Sequence, residues 1–407
     1  MPKVRIAIVG AGMGGLAAAA ALTRAGHEVR VHEQAAALGE VGVGMHLTPN
    51  GTRILQRWGL GDALRARAVR PEAMEVREWA GGTTLVRRPM GEAWTAEFGA
   101  PYYTVHRADL HALLLGLLPP GTVRVGHRLE RFTDAEDGVR LEFADGGVDE
   151  ADVLIGADGV HSVVRHALHG PGTPVFTGQS AFRGLVARRD VPHLPGDTVL
   201  VWAGPDARML LYPVRGGEQL TFVAIVPAGE GRPESWSEPG DLGALAAAFT
   251  GWNEDVTALV AAVRQARRWD LHDREPLASW GRGAVTLLGD AAHPMLPHHG
   301  QGVGQAVEDA AVLAHFLGAP HPPHARAGGR RGRIAEALHR YEAVRRPHTT
   351  RVQLGSRDGG SQRLRPTADG AAPKDSMSSL VQDVSWIQRH DAEADLPEAA
   401  VPAGAPA

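Results

Sequence analysis

Polar and apolar residues alternate from Lys3 to Val9, the pattern of a buried strand, and the run breaks at once into the glycines of residues 10–15. Residues 14–25 are mainly Gly, Leu and Ala and predict a helix, and Glu28–Glu33 predicts a second strand. Strand, glycine-rich turn, helix and strand make a βαβ unit. Asn50, Ile54, Leu55, Trp58, Leu60 and Leu64 give a helical spacing over 50–66. A second apolar helix runs from Arg107 to Leu118 and is stopped by Pro119-Pro120-Gly121. Short strands are predicted at 122–125, 128–132, 139–143 and 152–156.

The pattern changes near residue 174. Ser180–Val186, Thr198–Trp202, Met209–Val214 and Leu220–Ile225 are β runs separated by turn residues, as in an antiparallel sheet. A loop spans 228–240 and helix returns over 241–265. Another apolar strand, Val285–Leu288, ends in Gly289-Asp290 and leads through a Pro/His turn to Gly300, Gly302 and Gly304. These glycines open a helix whose apolar residues recur at Val303, Val307, Ala310, Ala314 and Leu317. Residues 318–333 predict a mobile loop, 334–353 a helix with a basic face, and 357–379 a polar stretch; the last ten residues predict disorder.

The length of 407 residues allows two domains or one large elaborated one. A composition of 43% hydrophobic and 22% charged residues is that of a soluble globular protein. The net charge of −4 supplies no field to recruit nucleic acid or an anionic membrane. No apolar run approaches the ~18 residues of a membrane span, and the N-terminus lacks the apolar region and cleavage site of a signal peptide. Cysteine is absent, which removes disulfides, thiolate metal sites, iron–sulfur clusters and Cys nucleophiles. A cytoplasmic location is expected. His293, His298 and His299 lie in a Pro-rich turn without an acidic neighbour, so no metal is expected there.

Gly10-Ala11-Gly12-Met13-Gly14-Gly15 is a G-x-G-x-x-G sequence between a strand and a helix, with Glu33 at the end of the next strand. Gly10 permits the tight turn, Gly12 lets backbone approach a pyrophosphate, Gly15 lets helix pack on strand, and Glu33 takes ribose hydroxyls. NAD and FAD would be served equally. Glycines at the 302 helix start leave amides bare for an anion or a polarised carbonyl, so a large cofactor held at both ends is predicted. Asp158-Gly159, after Leu154-Ile155-Gly156-Ala157, and Gly289-Asp290 each follow a strand; alone, the first reads as a turn and the second as a helix N-cap.

Together and in this order, the three motifs resemble the single-component FAD-dependent aromatic hydroxylases of the p-hydroxybenzoate-hydroxylase-like class. The similarity covers residues 3–355 and extends to Trp386-Ile387-Gln388-Arg389-His390-Asp391-Ala392. It implies an α/β fold: a Rossmann-like FAD-binding domain of GR2 type with an inserted antiparallel β-sheet substrate domain and C-terminal helices. The expected divisions are 1–173 and 276–356 for FAD binding, 174–275 for the substrate sheet, and 357–407 for a partly disordered C-terminal segment. Gly10, Gly12, Gly15 and Glu33 would bind the ADP half of FAD, and Arg107 its ribityl or phosphate region. Asp158 would serve both FAD and reduced nicotinamide. Asp290 would take ribityl or ribose hydroxyls, and amides near Gly302, Val303 and Gly304 would lie at the flavin's pyrimidine edge.

The segment Gly42-Val-Gly-Met-His46-Leu-Thr-Pro-Asn50 resembles the salicylate and 6-hydroxynicotinate 3-monooxygenase subgroup, with His46 matching the latter. Tyr212-Pro213 and Pro297-His298 match that subgroup too, whereas Arg208 stands where it tends to have His. The resemblance implies NADH or NADPH and O2 as co-substrates, a C4a-hydroperoxyflavin that attacks an electron-rich ring, and a monomer or homodimer. His46 would act as base toward a ring hydroxyl and Tyr212 would relay or share that proton. Arg208 or Arg183 would hold a substrate carboxylate, with Pro297 and His298 lining the same space. A nicotinamide-only dehydrogenase, a non-catalytic flavoprotein and an epoxidase of larger natural products are the competing readings.

Overall fold

The structure is a computed structural model that describes residues 3–39, 42–229, 239–318, 329–361, 384–394 and 396. Among these residues, a six-stranded sheet runs in the order 281–282, 285–287, 153–156, 5–9, 28–33, 123–125. All neighbours are parallel except the short edge pair Gly281–Arg282 with Val285–Leu287. Ile6, Ile8, Val153, Leu154, Ile155, Val285 and Leu287 are buried, as in a sheet covered on both faces. The helix Met13–Arg24 buries its Leu and Ala residues against this sheet, and the helix Gly302–Gly318 packs beside it. Gly14 permits that approach: a Cβ there would stand 2.9 Å from Leu288 Cδ2 and 3.4 Å from Ala306 Cβ.

The second sheet has seven strands, in the order 267–273, 175–187, 219–227, 208–214, 198–203, 73–78, 84–89. The sheet expected from residues 174–275 therefore also takes in Ala73–Glu78 and Thr84–Pro89. The pairing of 198–203 with 73–78 is parallel, and the other pairings in this sheet are antiparallel. Alternation divides its side chains between two cores. Phe182, Leu200, Trp202, Met209, Leu211 and Phe222 pack under Leu245, Phe249, Val256 and Leu259. Ala181, Val199, Tyr212, Val214 and Trp269 face the other way and meet Leu296.

Several elements differ from the sequence pattern. The helix expected over 50–66 is two, Pro49–Arg57 and Gly61–Arg67, because Gly59 takes φ +89° between them. The helix expected over 241–265 is also two, Leu242–Ala248 and Glu254–Ala262. Gly251 at φ +79° breaks it, and Asn253 caps the second by accepting from Val256 N. The C-terminal helix is longer than 334–353, running Gly329–Ser361. Residues 319–328 of the expected mobile loop, 362–383 of the polar stretch and the final residues from 397 lie outside the described residues, as does most of the 228–240 loop.

One buried ion cluster locks these parts together. Glu308 and Asp309 sit in the middle of the helix Gly302–Gly318, and Arg345 reaches both from the long helix, Nε to Asp309 Oδ1 at 2.8 Å and Nη1 to Glu308 Oε2. All three side chains are 0% exposed. Burial alone would raise both carboxyl pKa values, but Arg345 and the neighbouring histidines outweigh it and hold them below the ordinary range. Arg345→Ala would strand two buried carboxylates and is expected to cost about 3–5 kcal/mol. Urea unfolding of the variant checks this; a loss under about 1 kcal/mol, the size of a surface pair, would show that the cluster is dispensable.

Candidate active site

A long groove runs between the two sheets, with the starts of both core helices opening on it. It is lined by Gly10, Gly12, Met13, Glu33, Met45, Arg107, Asp158, Arg183, Trp269, Asp290, Gly302 and Val303, among others. The glycines of the fingerprint have separable reasons. Gly10 takes φ +102°, and a Cβ there would lie 2.4 Å from Ala157 O; a Cβ on Gly15 would lie 1.9 Å from Gly10 O. Gly12, at the helix start, has nothing within 4 Å of its Cβ position, so its open side belongs to the groove. Glu33 accepts from Ala11 N at 2.8 Å and Ala35 N at 2.9 Å, tying the glycine loop to the end of the second strand. Each of its oxygens retains a lone pair for a sugar hydroxyl.

At the other end, Arg107 and Asp290 both face the groove. Burial, and then Arg183, lower the Arg107 pKa, and Asp290 opposes them. Burial raises the Asp290 carboxyl, against the pull of His293, Arg107 and Arg165. Asp158 lines the groove and its carboxylate is also bound by the protein around it. Its Oδ1 accepts from Ser162 Oγ at 2.5 Å, and its Oδ2 accepts from Val163 N at 2.7 Å and Val164 N at 3.2 Å. It caps the helix Val163–His169, and any ligand contact comes in addition to that cap. Gly302 and Val303 line the groove, but Gly304 does not: it packs on the helix Pro49–Arg57, where its Cβ would stand 3.1 Å from Asn50 Nδ2.

The ribbon formed by Gly44–Leu47 and Tyr103–His106 borders the groove. Alternation along it sends Met45 to the groove and His46 to the opposite face. His46 lies with its ring centroid 4.2 Å from that of Tyr212, and its Nδ1 shares a hydrogen bond of 2.7 Å with Tyr102 OH. Burial, reinforced by Arg183, pushes the His46 pKa down to about 3. The Tyr212 hydroxyl donates to Gly44 O at 2.7 Å, and Arg183 Nη2 donates to the same carbonyl at 2.5 Å. That bond corrects the expected relay: Tyr212 anchors the ribbon and supports the His46 ring, and its proton is already spent.

Arg208 and Tyr212 lie four residues apart on one strand, hence on one face. Arg208 Nη2 meets His298 Nδ1 at 2.5 Å. Two residues on, Gly300 abuts His46, 3.5 Å from Cβ position to His46 Cβ. His46, Tyr212, Arg208, His298 and Gly300 thus close a circuit. Burial lowers the Arg208 pKa to about 10, and burial followed by Arg208 lowers that of His298 to about 3. Pro297 is exposed beside them.

The fold supplies partners to the turn histidines that their local sequence lacks. His293 Nε2 is 2.6 Å from Asp309 Oδ2, His298 meets Arg208, and His299 lies against Gly355. Tyr102, Asp309, Glu308, Arg345 and Gln301 are positioning residues that the sequence pattern passed over. Their one visible trace was a Glu-Asp pair inside an otherwise apolar helix.

A family model described as FAD binding domain matches residues 3–354. The chain belongs to that family, and FAD is its cofactor. It is 43% identical over 404 residues to the 3-amino-4-hydroxybenzoate 2-monooxygenase PtmB3 of Streptomyces platensis, covering 96% of this chain and 97% of that one. It is 41% identical over 360 residues to the 6-hydroxynicotinate 3-monooxygenase of Bordetella bronchiseptica, covering 88% and 91%. A salicylate hydroxylase substrate complex superposes with a TM-score of 0.80 at 29% identity, covering 96% and 97%. The groove suits the cofactor: bare helix starts at two places, an open Gly12 between them and the glycine loop, and Arg107 and Asp290 at the far end.

The two kinds of glycine are separable by experiment. Gly12→Ala has room for its methyl and is expected to fold but to retain less FAD, read from the 280/450 nm absorbance ratio. Gly15→Ala is expected to lose soluble protein altogether. Equal behaviour of the two variants would contradict the assignment.

Proposed function

We propose that this flavoprotein hydroxylates a small aromatic or heteroaromatic acid that carries a ring hydroxyl, consuming NADH or NADPH and O2. The observation behind the substrate reading is the circuit that joins a neutral imidazole, His46, to a desolvated guanidinium, Arg208. Four residues of strand separate Arg208 from the Tyr212 that supports His46, roughly 13 Å at the usual rise, which spans one substituted ring. The substrates named for the two relatives of 43% and 41% identity, unlike salicylate, carry a hydroxyl para to a carboxylate, the layout this pair would read. FAD held in the groove would, once reduced by the nicotinamide, activate O2 toward an electron-rich ring carbon, one oxygen atom going to the ring and the other to water.

The protein's own side chains do the rest. Arg208, charged at neutral pH, holds the carboxylate with His298 beside it. His46 accepts the ring hydroxyl's proton at Nε2, which requires Nδ1 to carry its own hydrogen and donate it to Tyr102 oxygen. With a pKa of about 3 for His46, full transfer before reaction is steeply uphill. The proton therefore moves as the ring loses electron density and its hydroxyl becomes acidic. Tyr102 holds the His46 ring through Nδ1, and Tyr212 and Arg183 fix the ribbon that carries His46. The cysteine-free sequence accords with action in a reducing compartment.

The direct test is oxidation of reduced nicotinamide by the FAD-loaded protein with para-hydroxy acids such as 3-amino-4-hydroxybenzoate and 6-hydroxynicotinate, with ¹⁸O from ¹⁸O2 traced into product. A panel that stimulates no oxidation overturns the reading. His46→Ala is expected to lower hydroxylation by about 10²–10⁴-fold with FAD retained and H2O2 released instead. Arg208→Gln is expected to raise KM for the acid by about 10–10³-fold and to leave the decarboxylated phenol unaffected.

The pH dependence follows from the lowered histidines. His46 stays in its proton-accepting form well below its ordinary pKa of about 6.5, so turnover should show no acid limb near that value. Stability behaves otherwise. The unfolded chain binds protons below about pH 6.5 that folded His46, His298 and His348, at about 3, 3 and 4, refuse. The unfolding midpoint should therefore fall as the pH drops from neutrality toward those values. A midpoint that holds steady or rises over that range contradicts the burial of these rings.

A further inference from the structure

The segment 384–394 returns from the far end of the chain to pack on the helix Pro49–Arg57 and on a short helix, Gly91–Phe98. Its outer contacts are surface ion pairs: Arg57 Nη1 reaches Asp391 at 2.8 Å and Glu393 at 2.6 Å, and Arg389 Nη2 reaches Glu97 at 3.1 Å. Two of its side chains turn inward instead. Gln388, 4% exposed, accepts from Trp94 Nε1 at 2.7 Å. His390 Nδ1 lies 3.0 Å from Glu308 Oε2. Arg53 ties the segment to the end of the short helix, Nη1 donating to His390 O at 2.6 Å and Nη2 to Phe98 O at 2.5 Å.

Both inward contacts lead to His46, from different sides. Trp94 stands edge-on to Tyr102, ring centroids 5.9 Å apart and planes at 80°, and Tyr102 OH shares the 2.7 Å hydrogen bond with His46 Nδ1. Glu308 accepts from Asn50, whose Oδ1 takes the Thr48 hydroxyl at 2.7 Å, two residues from His46. Met90, Trp94, Phe98 and Tyr102 form a small core of their own. An indole has one polar atom, and burying it without an acceptor is costly, so Gln388 fixes the Trp94 ring against which Tyr102 rests. We propose that Gln388 and Trp94 are positioning residues for His46, acting through Tyr102. This role rests on the reading of His46 as acceptor of the ring hydroxyl's proton. Gln388 and Trp94 touch neither the groove nor Arg208, so they govern the rate of hydroxylation and leave binding of the acid alone.

Gln388→Met removes the acceptor at similar volume, and Trp94→Phe removes the donor. Each is expected to lower kcat for hydroxylation by about 10–10²-fold, to divert reduced nicotinamide to H2O2, and to leave KM for the acid unchanged. The double variant should be no worse than either single one, as for two residues on one path. Val256→Ala, buried in the core on the other face of the second sheet, should lower the unfolding temperature yet leave kcat and H2O2 release unmoved. Bound flavin absorbance verifies that each variant is folded. The ¹⁵N resonances of the His46 ring, assigned by their absence in His46→Ala, separate the positioning role from the base role; both should shift in Gln388→Met and Trp94→Phe. Resonances that stay in place, or kinetic losses that Val256→Ala reproduces, overturn the positioning role. Resonances that shift while hydroxylation is untouched uphold it and overturn His46 as the base.

Discussion

Two adjacent carboxylates in the middle of an apolar helix hold the catalytic half of this molecule in place. Asp309 accepts from Arg345, from Gly289 N at 3.1 Å and from His293 at 2.6 Å, so it fixes both ends of the turn that carries Asp290. Glu308 accepts from Asn50, whose Nδ2 also reaches Gln301 Oε1 at 3.2 Å, one residue before the helix begins. Gln301 in turn donates to Thr48 Oγ1, two residues from His46. A buried charge cluster is weak evidence for stability, since well-packed apolar residues of the same volume often do as well. What it does supply here is register. Each carboxylate has two oxygens and each oxygen has a designated donor, so the helix, the Asp290 turn and the His46 ribbon have one mutual arrangement.

That arrangement places the groove and the cluster of His46, Tyr212, Arg208 and His298 on opposite sides of one ribbon. The ribbon between them is one residue thick at Met45 and His46, and pleating assigns these neighbours to opposite sides. Gly44 O, which takes hydrogen bonds from Tyr212 and Arg183, fixes the ribbon's height above the sheet. Gly44 must itself be glycine, since a Cβ would stand 2.4 Å from Thr221 Oγ1 and 2.6 Å from Tyr212. Met45 and His46 are thus placed by a backbone carbonyl rather than by long side chains, which removes rotamer freedom from their position between the groove and the sheet.

Much of the architecture was legible in the chain. Period-two and period-3.6 patterns located the parallel strands, the four main β runs of the second sheet and the helix at 302, because those segments are buried on a fixed face. The fingerprint glycines and Glu33 were legible because each answers a local steric demand. The strands at 73–78 and 84–89 were not: their positions are mostly half-exposed or exposed, so no clear apolar stripe marks them. Interactions across long sequence separations were the main loss. His293 was read without an acidic neighbour because Asp309 is sixteen residues away and one helix over. Tyr212 was read as a proton relay because nothing local shows that its hydroxyl ends on Gly44. Gly304 carries a second demand that the motif does not show: its Cβ position faces Asn50 on another helix.

The charge pattern around His46, His298 and Arg208 follows from burial more than from residue type. His46 and His298 are titratable near neutrality in water, and burial with a nearby guanidinium keeps both neutral; Arg208, buried beside them, keeps its charge because its ordinary pKa is so high. Two guanidiniums, Arg183 near His46 and Arg208 near His298, thus stand beside two neutral imidazoles over the whole physiological range. A histidine at position 208 would share the fate of its neighbours and lose its charge there, so arginine is the residue type that can hold an anion in this environment without borrowing a proton. Arg208 therefore exchanges a third neutral hydrogen-bonding ring for a permanent cation against His298, a change in local charge rather than in shape.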